Sequence, residues 1–163
     1  MRHLIKSLTK NVIIGFSSLL FVTSSFAFDS LSEATLKQKG MAFVQATEAR
    51  LQPDTTVADI EHYISLLSDN FIDEYVHYQV TFAADKNKLR ARLIEKMNSE
   101  ISDSKVTMQQ MMVGPNVVVL KLKQLGQIKP VGQGDVIPMD KVSVLTLEFD
   151  KNGLISHIRR HEP

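Results

Sequence analysis

Cysteine is absent from all 163 residues. That excludes a lipid-modified N-terminal cysteine, a disulfide framework, thiol chemistry and thiolate metal sites. A long membrane-spanning run is missing too. The apolar stretch from Val12 to Phe21 is shorter than the roughly 20 residues a spanning helix needs. After Ala27 there is no internal repeat, low-complexity tract or break in composition. The glycines between Gly126 and Pro138 do not follow a strand and open a helix, so they do not make a nucleotide loop. Neither a serine-nucleophile motif nor a metal-ligand cluster is present in the sequence, which leaves cofactor-free chemistry. His157 and His161 stand four apart, but on a strand that spacing exceeds about 12 Å and does not build one metal site.

The N-terminus has its own character. Met1 to Lys10 carries Arg2, Lys6 and Lys10 with no acid, the apolar run follows, and Ser25-Phe26-Ala27 supplies small residues at the −3 and −1 positions. This pattern predicts a secretory signal peptide over 1–27, cut after Ala27, with a single domain over 28–163 and a periplasmic or secreted location. Cleavage changes the charge. The chain of net charge +1 loses three cations, leaving 16 basic against 18 acidic residues. A mildly acidic domain has no electrostatic footprint for nucleic acid, and nothing in it holds a membrane once the leader is gone.

The chain after Ala27 is organised around its second half. Val118, Leu120 and Leu122 alternate with Val119, Lys121 and Lys123. Leu145, Leu147 and Phe149 alternate with Val142, Val144, Thr146 and Glu148. Such period-2 patterning, bounded by Gly114-Pro115-Asn116 and Asp150-Lys151-Asn152-Gly153, predicts half-buried antiparallel strands joined by tight turns. The stretch 126–138 reads as a flexible rim over one end of the sheet. One face of such a sheet needs a cover.

Helices supply it. Ser30 with Glu33 reads as a capping box for a first helix buried along Leu36, Gly40, Phe43, Val44, Thr47 and Leu51. Gly40 inside a helix costs about 1 kcal/mol against alanine, which close approach by another element would explain. Thr56 with Asp59 caps a second helix along Val57, Ile60, Ile64 and Leu67. Asp85 caps a third along Leu89, Leu93, Met97 and Ile101. The third helix's face of Lys86, Lys88, Arg90, Arg92 and Lys96 reads as solvated, with a patch for an acidic partner as the rival reading. Between the second and third helices, Phe71 to Phe82 reads as a strand with Ile72, Val76, Tyr78, Val80 and Phe82 in one phase.

This order, the Leu66-Leu67-Ser68-Asp69-Asn70-Phe71 junction and the ending Leu145 to Ile155 resemble the nuclear transport factor 2-like superfamily, above all its SnoaL-like and ketosteroid-isomerase-like branches. The resemblance covers roughly residues 30–162 and implies an α+β cone. In that cone, three N-terminal helices pack on a strongly curved antiparallel sheet, a pocket opens at one end, and dimers through the sheet are common. Ketosteroid-isomerase chemistry needs a carboxylate base and two oxyanion donors. The base position falls at Glu74 or Tyr75. The donor positions fall at Leu145 and near Phe43, both apolar, so the resemblance does not extend to that isomerisation.

Within the strand 71–82, Glu74 interrupts the apolar phase, and alternation turns its carboxylate inward. It is the candidate catalytic acid or base. On the last strand, Leu154, Ser156, Ile158 and Arg160 alternate with Ile155, His157, Arg159 and His161. The first set carries more aliphatic residues and is taken to face the cavity, where Arg160 would pair with Glu74 or hold an anionic group. Tyr78, Arg160 and Leu145 are the candidate ligand-binding residues. The leading expectation is an exported domain binding a small, largely apolar molecule, with proton-transfer chemistry of isomerase, cyclase or dehydratase type open to it. The rival is a non-catalytic homodimeric interaction module joined through Val117, Val119, Val142 and Val144, because an uncovered apolar patch marks a contact.

Overall fold

The computed structural model describes residues 30–132 and 134–162; the predicted leader 1–27 lies outside them. The described residues form helices α1 (Glu33–Ala49), α2 (Val57–Ser65) and α3 (Lys86–Met97), with strands β1 (Leu67–Tyr75), β2 (Val80–Phe82), β3 (Glu100–Gly114), β4 (Val117–Lys129), β5 (Ile137–Phe149) and β6 (Ile155–His161). The strands form a single sheet in the order β2-β1-β6-β5-β4-β3. No described helix is long and apolar enough to cross a membrane.

Local chemistry sets the helix ends. Ser32, not Ser30, caps α1, its side chain accepting from the Thr35 amide. Thr56 and Asp59 form a full capping box on α2, and the Asp85 carboxylate accepts from the Lys88 amide at 2.9 Å on α3. Each cap satisfies donors that a helix start leaves open. The predicted buried stripe of α1 holds from Leu36 to Thr47. At Gly40 an added Cβ would lie 2.9 Å from Met111 Cε and 3.0 Å from Val118 Cγ1. The glycine is what lets α1 settle onto β3 and β4.

Four parts of the expected architecture change. The helices are not all N-terminal, because β1 and β2 intervene between α2 and α3. The sheet is mixed as well: β1 pairs parallel with β6, and the other neighbours are antiparallel. Residues 71–82 are two strands, since the chain reverses over 76–79 with Gln79 at φ 52°. The supposed rim 126–138 shortens to 130–136, because β4 and β5 pair as far as Ile128 and Ile137. Register shifts in β3 at 102–105 and 108–110 bend this long strand, as bulges do, and give an unclosed, curved sheet.

The hollow of that curve holds the core. Val118, Leu120, Leu122, Leu145, Leu147, Ile155 and Ile158 from the sheet meet Leu36, Phe43, Ile60, Tyr63 and Ile64 from the helices, all buried. The alternation read from β4 and β5 is therefore the true one. At the β5–β6 turn the Asp150 carboxylate accepts from the amides of Asn152 and Leu154, each at 2.9 Å, and Gly153 takes the expected positive φ, 73°.

Candidate functional site

At one end of the hollow, beside the buried Leu89 and Leu93 of α3, a cavity of about 220 Å³ remains. Its apolar wall comes from Ile60, Leu89 and Leu93; its polar wall includes Tyr63, Asp73 and Arg160.

The polar wall follows from the central parallel pair. Asp73 and Tyr75 leave β1 on the same side as buried Phe71, and in the β1–β6 register Tyr75 lies opposite Arg160. The Arg160 guanidinium donates to Asp73 through Nε at 2.6 Å and Nη2 at 3.3 Å, and Nη2 also reaches the Tyr63 hydroxyl at 3.4 Å. Both members of the ion pair are buried. Burial opposes the charge on Arg160, but Tyr63 and Asp73 more than reverse this and hold its pKa above the ordinary arginine value. Burial also pushes the Tyr75 hydroxyl up, partly countered by Arg160.

A second guanidinium stands across Tyr63. Arg50, at the C-cap of α1, lies 4.6 Å from the centroid of the Tyr63 ring, a favourable cation–π placement. Its Nε is buried and has no acceptor among the described residues. Burial pulls its pKa below the ordinary arginine value. Arg92 and Lys96 of α3 and Lys141 of β5 complete the basic lining, and Glu162 adds a carboxylate that pairs with Lys141 at 3.1 Å.

The predicted site residues divide. Arg160 does reach the cavity, on the strand phase chosen for it, together with buried Ile158. Glu74 does not. It lies on the other face of the sheet, where its carboxylate meets His157 Nε2 at 3.0 Å and Arg159 Nε at 3.3 Å. The reason is parity: the phase of Phe71 and Asp73 is buried, while Ile72 and Val76 are 37% and 38% exposed. Tyr78 sits in the 76–79 turn, 60% exposed and away from the cavity. Leu145 is a buried core residue, opposite Arg160 in the β5–β6 register but outside the cavity lining.

Sequence reasoning missed Asp73 and Arg50, and both had a signal. Phe71 before Asp73 is the largest apolar residue at the strand start and marks its phase as the inner one. Arg50 continues the buried spacing of Gly40, Phe43 and Thr47 by three more residues. The charged face of α3 also divides: Arg92 and Lys96 line the cavity, whereas Arg90 pairs with Glu61 and Lys86 with Asp69.

No family model matches the chain, and no curated protein matches its sequence. Solved structures do match in shape. A SnoaL-like polyketide cyclase from Shewanella denitrificans superposes with a TM-score of 0.62 at 13% identity, over 78% of this chain and 90% of that one. The chain has the nuclear transport factor 2-like cone fold. A ketosteroid isomerase from Kribbella flavida shares this fold at a TM-score of 0.56 and 12% identity, over 83% of this chain and 80% of that one. So does an LEH-like epoxide hydrolase from M. tuberculosis, at 0.59 and 12%, over 80% and 84%. At these identities the likeness is one of cone architecture, which hosts many chemistries.

Proposed function

We propose that the protein is an exported, cofactor-free, small-molecule-binding domain of SnoaL-like type, with the cavity beside α3 as its binding site. The observation that carries this reading is the cavity itself, a concave hollow with an apolar wall and a few convergent polar groups around the Asp73–Arg160 pair. Shape neighbours that include a SnoaL-like polyketide cyclase and an epoxide hydrolase-like enzyme agree with a cone used around a small molecule. The chemistry open to these groups is proton transfer of isomerase, cyclase or dehydratase type, with Asp73 in the role first assigned to Glu74.

The test is native mass spectrometry of the mature protein purified from the periplasm. A retained small molecule is expected in the wild type and lost from Leu93→Trp, which fills the hollow. Retention that survives Leu93→Trp would place the ligand elsewhere.

A second reading, a homodimeric interaction module, draws on the outer sheet face. Val142 there is 38% exposed, and Val117, Val119 and Val144 are half-buried beside it. Covering this face with a second copy would remove apolar area from water. A mature protein that sediments as a monomer at micromolar concentration would eliminate this reading.

A further inference from the structure

The charges around the cavity do not balance. Five cations line it, Arg50, Arg92, Lys96, Lys141 and Arg160, against the two carboxylates of Asp73 and Glu162. Arg160 is matched by Asp73 and Lys141 by Glu162. Arg50, Arg92 and Lys96 are left with no carboxylate within salt-bridge distance among the described residues.

These three cations also work against one another. Arg92 and Lys96 stand one helical turn apart on α3, a like-charge spacing that disfavours the helix. Lys96 is the exposed rim of the set and Arg92 is half-buried; partial desolvation, and then Arg50 and Arg92, pull the Lys96 pKa below the ordinary lysine value. Arg50 is the most costly of the set, because its buried Nε lacks an acceptor. Its stacking on Tyr63 and Arg92's contact with the Phe82 ring at 4.7 Å soften the penalty without bringing negative charge. A water molecule could accept from Nε, but it would leave the charge excess unchanged. An anion answers both deficits at once, and guanidinium groups suit a carboxylate's two oxygens.

We infer that the cavity takes a small organic acid, its carboxylate held by Arg50, Arg92 and Lys96 and its apolar body laid against Ile60, Leu89 and Leu93. This rests on the cavity being a binding site and adds the class of ligand. It revises the expectation of a largely apolar ligand: the body is apolar and the head is charged. Arg160 remains engaged with Asp73 and serves as a wall.

Two probes of nearly the same outline separate the possibilities, 2-naphthoate and neutral 2-naphthamide, titrated calorimetrically into the mature full domain. Naphthoate is expected to bind at least about tenfold tighter, the scale of a charge-assisted hydrogen bond. That preference should fall below about threefold in Arg50→Met and drop measurably in Arg92→Met. The second variant stands in should the first fail to fold. Equal binding of the two probes, or a preference for the amide, overturns the inference while leaving the cavity reading intact. If neither binds but native mass spectrometry finds a retained molecule, an anionic one supports the inference and a neutral or cationic one overturns it. No probe binding and no retained molecule removes the cavity reading, and the inference with it.

Discussion

Arg160 grips Asp73 with two nitrogens, Nε at 2.6 Å and Nη2 at 3.3 Å, from the adjacent parallel strand. Both residues are buried, so neither charge can turn to bulk water if the other is lost. Removing one partner of a buried pair typically costs about 3–5 kcal/mol, whereas replacing both with apolar residues of similar volume is often close to neutral. Asp73→Leu alone is therefore expected to lower stability by about 3 kcal/mol or more. The double variant Asp73→Leu/Arg160→Met should recover most of that loss. Urea melts of the two singles and the double measure the coupling directly, and additive losses would contradict it.

Glu74 makes the opposite case. Its carboxylate meets His157 and Arg159 on the outer face of the sheet and takes no part in the cavity lining. Glu74→Gln should leave ligand retention in the cavity unchanged and alter stability by no more than about 1 kcal/mol, as for a partly exposed ion pair. Loss of retention in this variant would reopen its assignment to the site.

Gly40 is where α1 touches the sheet. A β-branched side chain there meets Met111 and Val118 at once. Gly40→Ile is expected to cost about 1–3 kcal/mol by overpacking. Because the nearest atom is the flexible end of Met111, Gly40→Ile/Met111→Ala should regain part of the loss. Thermal melts of the pair check this, and a stable Gly40→Ile single variant would mean that the contact is loose.

Two caps link stability to acid. Hydrogen bonds from the Thr56 side chain and backbone hold the Asp59 carboxyl below its ordinary value of 3.8, and the Lys88 amide does the same for Asp85. A carboxyl with a lowered folded-state pKa stabilises the fold above its unfolded value and loses that contribution as pH falls through the folded value. The urea midpoint should therefore hold down to about pH 5 and drop below it, most steeply once the pH passes under the ordinary value of 3.8. The drop should be smaller in Asp59→Asn/Asp85→Asn, which keeps acceptors at both caps but cannot titrate. An identical drop would assign acid sensitivity to other carboxyls.

Export supplies a prediction independent of the fold. If the leader is cut after Ala27, N-terminal sequencing of the periplasmic protein should begin Phe28-Asp29-Ser30. Protein found only in the cytoplasm with Met1 intact would remove the exported part of the proposal.

Much of the cone was legible where side-chain periodicity met a punctuating residue. Leu120 and Leu122, Leu145 and Leu147, the Thr56 and Asp85 caps and the Gly153 turn all lie as their local patterns imply. The strand after α2 misled because it carries apolar residues on both phases. Ile72 and Val76 form a regular stripe, yet the sheet buries Phe71 and Asp73. Arg160 was legible as an inward cation; the carboxylate it meets was off by one residue.

The sequence by itself determined the starts of α2 and α3, the turns at 114–116 and 150–153 and which face of β4 and β5 is buried, because capping, positive φ and two-residue alternation act over a few neighbouring positions. The tertiary structure alone decided which face of β1 turns inward, that β1 lies parallel to β6, and that Arg50, Arg92, Lys96 and the Asp73–Arg160 pair surround one hollow. Those outcomes depend on groups as far apart in the chain as Asp73 and Arg160. Their contact is fixed by how the whole sheet curves and where α3 lands, and no local pattern carries that information.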